Sequence, residues 1–129
     1  MKRVVIVGGT SAVSSRAQSA LKSAGYSVER RSGATRYETS ATIASKVTAD
    51  GMSWSTVVVA SGENFPDALS GAGLVGSKKG VLLLTASDDS SAVTKTLKPK
   101  KPIVGTCYIL GGQAAVSWNV ENALNDLLK

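Results

Sequence analysis

The sequence predicts an α/β protein: three layers, doubly wound, with a mostly parallel five-stranded sheet and helices on both faces. Three observations predict it. Short apolar runs alternate five times with segments of helical periodicity, and such alternation builds a parallel sheet through right-handed crossovers. The runs are rich in Val, Ile and Leu, as strands covered on both faces must be. Aromatic residues make up only 5% of the chain while Gly and Ala are common, which suits thin strands packed closely on Ala-rich helices. At 129 residues, 43% hydrophobic and 19% charged, the chain is one globular domain's worth.

Each element follows in order. Val4 to Val7 is the first strand; Gly8-Gly9-Thr10-Ser11 turns, and Ser14 caps a helix that Gly25 ends. Tyr26 to Arg30 is the second strand. Thr35, with Glu38 three residues on, forms a capping box for a helix whose buried face is Tyr37, Ala41, Ala44 and Val47 and which Asp50-Gly51 closes. Thr56 to Ala60 is the third strand, and Phe65, Ala68, Leu69, Ala72 and Val75 take helical spacing after it. Pro66 fits the first turn of that helix, where no N–H is needed. Val81 to Leu84 is the fourth strand, Ser87-Asp88-Asp89 caps a short helix, and Pro99 stops it. Thr106 to Leu110 is the fifth strand, Gly111-Gly112 turns, and Ser117 caps a last helix with the stripe Val120, Ala123, Leu124 and Leu127.

One unit occurs twice. Between Val5–Leu21 and Tyr108–Leu124, at an offset of 103 residues, eight of seventeen positions are identical, both glycines and the capping serine among them. A repeat of about a hundred residues is implied, with residues 1–28 the closing unit of one copy and 29–129 a complete copy. The parent protein is then expected to be an array, and arrays more often bind than catalyse.

Composition narrows the chemistry. Fifteen Lys and Arg against nine Asp and Glu give +6, which favours polyanions: nucleic acid, anionic lipid or acidic polysaccharide. There is no His, the commonest general base and metal ligand, and Cys107 is the only cysteine. It reads as a buried strand thiol, so disulfides and cysteine-based metal clusters are not expected. No apolar run has membrane-spanning length, and Gly8-Gly9 ends the first one too early for a secretory signal.

The richest stretch is Ala60 to Gly71, ASGENFPDALSG, at the carboxyl end of a buried strand, where ligands of parallel sheets usually bind. Glu63 and Asp67, four apart, are able to share a helix face as an acid–base or metal pair, though Asp88-Asp89 is the only other acidic pair. Arg30, Arg31 and Arg36 cluster at the exit of the second strand beside Tyr37. Arg36 suits either a planar contact to phosphate or carboxylate, or an internal pair with Glu63 or Asp67. Gly8-Gly9-Thr10-Ser11 has the look of a phosphate cradle, but its spacing matches neither the dinucleotide fingerprint nor the Walker loop. Lys95, Lys98, Lys100 and Lys101 form a basic segment, either a solvated helix end or a polyanion contact.

SGATRYETSATIA (32–44), VVVASGENFPDALSG (57–71), VLLLT (81–85) and YILGGQAAVS (108–117) closely resemble the type 2 cell-wall-binding repeat of Gram-positive surface proteins. VVIVGGTSAVS near the start resembles the closing motif of the same repeat. The resemblance implies a non-catalytic module with a Toprim-like fold, no cofactor and no metal, that anchors an exported protein at the cell surface. Its implied partners are an anionic wall polysaccharide and further copies of the module, as a homotrimer or tandem pseudo-trimer, rather than nucleic acid or membrane. The export signal is expected outside these residues. Arg31, Arg36, Gly62, Asn64 and Lys100 are the candidate polymer contacts; Tyr37, Glu63 and Asp67 are expected to order the site. One departure is a lengthened loop, Lys98 to Thr106. Two rival readings are a metal-dependent phosphoryl-transfer enzyme of Toprim type, which needs acids at several strand ends, and a basic nucleic-acid-binding domain, which the few aromatic residues disfavour.

Overall fold

In the computed structural model, which describes residues 1–129, the chain runs β1 (Arg3–Val7), α1 (Ser15–Ser23), β2 (Ser27–Arg31), α2 (Arg36–Ser45), β3 (Thr56–Ser61), α3 (Pro66–Lys78), β4 (Val81–Thr85), α4 (Ser91–Leu97), β5 (Thr106–Ile109) and α5 (Trp118–Leu128). Two 3₁₀ segments, Val47–Asp50 and Lys98–Ile103, follow α2 and α4. The second helix is therefore shorter than its periodicity predicts: it ends at Ser45, and the chain tightens before Gly51 takes a left-handed φ of 78°. The lengthened loop is the second 3₁₀ segment. The short α-helix ends at Leu97, ahead of Pro99 as expected, and the chain continues as a 3₁₀ segment in whose first turn the missing N–H of Pro99 is not needed.

All pairings are parallel, but there are two sheets rather than the expected one of five strands: β1-β2, and β4-β3-β5. The reason is edge occupancy. A strand has two edges, and β3 uses both, on β4 and on β5. The place beside β3 that β1 would take belongs to β5, its repeat counterpart. The outer edge of β4 is closed by α2, whose buried Ser40 hydroxyl accepts from the Leu84 N–H at 3.0 Å and donates to the Tyr37 carbonyl. The outer edge of β5 is bare.

The core lies around β3. Val57, Val58, Val59 and Ala60 have no exposed surface. Leu83, Val93, Leu97, Val116, Val120 and Leu124 from β4, α4 and the α5 unit pack with Val57 and Val59 on one face, while Val58 faces Gly71 of α3 on the other. By contrast α1 buries no residue completely, and Ile6 is the only fully buried side chain of β1. The β1-β2 pair is instead tied down by charge: Arg31, 3% exposed, bonds Glu29 and Asp50, and Arg3 bonds the same two carboxylates.

Candidate functional site

The corner at the carboxyl end of β3 is built by small buried groups. Ser61, 1% exposed, accepts the N–H groups of Glu63 and Asn64 on its hydroxyl at 3.1 and 3.2 Å, which turns the chain sharply out of the sheet. The Gly62 N–H donates to the Thr85 carbonyl at 2.8 Å, so the ends of β3 and β4 are laced together. Gly62 has no room for a side chain: a Cβ there would lie 2.7 Å from the Tyr37 ring and 3.2 Å from Arg36 Cδ.

Arg36 reaches this corner from the first turn of α2. Thr35 caps that helix, accepting from the Glu38 N–H, while the Glu38 carboxylate returns to the Ala34 N–H at 2.7 Å, so the capping box forms one residue wide of its usual partner. The Arg36 guanidinium donates through Nη1 to the Gly62 carbonyl. It makes no ion pair with Glu63 or Asp67, and Arg36 is exposed with no other side-chain hydrogen bond. Asn64 and Phe65 stand exposed beside it, Phe65 by 70%.

The two carboxylates of the turn go separate ways. Glu63 Oε1 accepts from the Ser87 N–H at 3.2 Å, bracing the loop after β4. Asp67 lies against Gly111, where an added Cβ would come within 2.6 Å of its Oδ2. No three His, Cys, Asp or Glu side chains converge. Asp88 does not cap α4; it accepts from the Ser117 hydroxyl at 2.5 Å and Asn119 Nδ2 at 2.9 Å, which hold its carboxyl below the usual value. Asp89 does the capping, through the Ser91 N–H at 2.8 Å. Ser117 stands at the N-cap of α5, but with its hydroxyl committed to Asp88 it makes no capping bond.

Two other expected contacts lie elsewhere. Arg31 is buried in its ion pairs with Glu29 and Asp50, so it has no face left for a polymer. Lys100 sits over the Trp54 ring, 5.4 Å from its centroid, at the amino end of the sheet; β3 puts roughly 15–20 Å between it and the Gly62 corner. Cys107 is half-buried, with its thiol pushed up to about 11 by burial, the inert strand cysteine expected. Sequence reasoning missed Ser61, Thr85 and Ser87, whose roles need partners distant in sequence. Near the corner, a groove of about 630 Å³ between α2 and α4 is lined by Tyr37, Glu38, Ser91 and Lys95 among others. A larger, mostly apolar cavity of about 800 Å³ separates the β1 turn from α2, α3 and β4.

Residues 30–121 match the family described as "Cell wall binding domain 2 (CWB2)". Among curated proteins, the N-acetylmuramoyl-L-alanine amidase LytC of Bacillus subtilis is 35% identical over 122 residues, which is 95% of this chain and 23% of the amidase. The "Amidase enhancer" of the same organism is 32% identical over 127 residues, 97% of this chain and 17% of that protein. Among solved structures, Cwp8 from Clostridium difficile superposes with a TM-score of 0.78 at 31% identity, and Cwp6 with 0.84 at 25%, each over 98% of this chain and 20% of theirs. The chain thus spans about a fifth of the proteins it matches.

Proposed function

The chain belongs to the cell wall binding domain 2 family, and from that premise we propose that it is a non-catalytic module that anchors an exported protein by holding an anionic wall polymer. The observation that carries this reading is Arg36. Its guanidinium is fixed on the Gly62 carbonyl and faces solvent with no carboxylate to neutralise it. A planar donor set held rigid in this way meets a phosphate or carboxylate of a polymer with little loss of freedom. Gly62 keeps the corner low enough for approach, and Asn64 offers an uncharged polar neighbour. Tyr37, Glu63 and Asp67 order the corner. Arg31 acts through the frame that secures β1 and β2, and Lys100 adds positive field at the opposite end.

The absence of catalysis is part of the same proposal. Glu63 is bonded to the loop after β4 while Asp67 lies against Gly111, and no third acid joins them, so they do not make the acid cluster a phosphoryl-transfer site requires. The amidase relative is matched over 23% of its length, which supports reading the shared part as its binding portion. Modules of this kind are further proposed to work as sets of three; light scattering that returns a monomer at high concentration removes that element.

The test is retention of the chain on purified anionic wall polymer and on DNA across a salt series. The polymer is expected to hold the chain at salt that releases DNA. Arg36→Ala is expected to lower polymer retention at least about tenfold, the loss of one charge-assisted contact, while the melting curve shows the fold intact. Equal release from both polyanions, or an unchanged Arg36→Ala, defeats the reading.

A further inference from the structure

Gly8 and Gly111 hold the same place in the repeated unit, and their surroundings agree in all but one respect. Both have left-handed backbones, with φ of 109° and 100°. Both turns close through the same bonds, from Ala12 and Val13 to the Gly9 carbonyl and from Ala115 and Val116 to the Gly112 carbonyl. But the Gly8 N–H donates to the Arg31 carbonyl at 3.0 Å and its carbonyl accepts from Arg30 Nη1 at 2.7 Å, whereas Gly111 has neither bond. The difference is the strand alongside. β1 has β2 beside it in the register Arg3↔Ser27 to Val7↔Arg31, while the corresponding edge of β5 has nothing. Thr106 and Leu110 direct their N–H groups to Ser55 and Val59, so by alternation those of Cys107, Ile109 and Gly111 face the bare edge.

We propose that this edge is the seat for the β2 strand of a following copy of the repeat, paired in parallel with Thr106 against Ser27 through to Leu110 against Arg31 of that copy. The completed sheet has the order β4-β3-β5-β2, and β1 stands in this chain for the β5 of a preceding copy. Two further observations favour this occupant. Arg30 clamps the first unit, with Nε on Gln18 Oε1 at 2.9 Å and Nη2 on the Ser14 carbonyl at 3.4 Å. Shifted by 103 residues those partners become Glu121 and Ser117, so the Arg30 of a following copy meets a carboxylate where the chain's own Arg30 meets an amide, a stronger bond. Secondly, Val13 and Leu21 are half-buried, while their counterparts Val116 and Leu124 are 2% and 1% exposed. The first unit thus lacks the sheet its twin rests on.

The inference concerns how copies join and stands apart from which polymer they hold. It is tested by fusing a second copy of residues 27–129 after Lys129, which continues the 103-residue spacing, and following amide exchange by NMR in this tandem and in the 129-residue chain. The Gly111 and Ile109 amides of the first copy are expected to slow at least about tenfold in the tandem, as for amides bonded within a cooperative sheet. Glu121→Arg in the first copy sets two cations together and is expected to abolish most of that protection; Glu121→Gln, which restores the side chain that works at Gln18, is expected to keep it. In the single chain the one side-chain hydrogen bond of Glu121 comes from Gln113, at 3.2 Å, and Glu121 lies in the first turn of α5. Glu121→Arg there is expected to cost a little helix-end stability in the melting curve and to leave the chain folded. Gly111 exchange that is as fast in the tandem as in the single chain overturns the proposal, and protection that survives Glu121→Arg overturns the register.

Discussion

Gly62 shows how one residue without a side chain organises the corner. Its N–H joins β4, its carbonyl anchors Arg36, and the space a Cβ would need is filled by the Tyr37 ring. Gly62→Ala is therefore expected to destabilise the chain by about 1–3 kcal/mol, the usual result of overpacking, and to lower polymer retention as Arg36 is displaced. Urea unfolding measures the first, and an unchanged midpoint rules the clash out. Arg31 illustrates the opposite case. Read in sequence it is one of three arginines beside a tyrosine; in three dimensions it is the buried centre of an ion network. Burying a cation is costly unless it is paired, and the carboxylates that pair it come from positions 29 and 50. Nothing in a linear reading separates that fate from the exposed one of Arg36.

At the scale of elements, the duplicated strand–turn–helix unit gives two copies of one sequence in two environments. α5 lies on the core, whereas α1 packs mainly on β2 and buries no residue completely. Leu124→Ala is expected to cost about 2–5 kcal/mol, the range for a fully buried leucine, while Leu21→Ala at the matching position is expected to cost under about 1.5 kcal/mol. Equal urea midpoints for the two variants would mean that the first unit is packed as tightly as the second. The helix and strand positions of the unit were legible from spacing alone. Their pairing was not, since β1 and β5 carry the same signals and only β5 reaches β3.

For the whole molecule, the acids set the pH response. Glu29 and Asp50 have carboxyls held below their ordinary values by hydrogen bonds, to Arg3 foremost for Glu29 and to Arg31 for Asp50, and Asp88 is lowered by Ser117. Depressed carboxylates contribute stability that is complete above the unfolded value of about 4 and is lost as pH falls through the folded values. The melting temperature is thus expected to hold steady from neutral pH to about 5 and to fall steeply below about 4, a profile that thermal scans across pH read directly. A loss already complete at pH 5 would point to groups other than these.

By itself the sequence determined the alternation of strands and helices, the duplicated unit and the strand-to-helix turn within Ala60–Gly71, because periodicity, capping residues and spacing are local properties written along the chain; the family was legible through the resemblance of its motifs. Tertiary structure alone decided that the strands divide into two sheets, that Arg31 is buried while Arg36 faces solvent, and that Glu63 and Asp67 serve different loops. The physical reason is shared. Each of those outcomes depends on which groups distant in sequence share a strand edge, a carboxylate or a loop in the folded chain, and that is settled only when those residues are brought together.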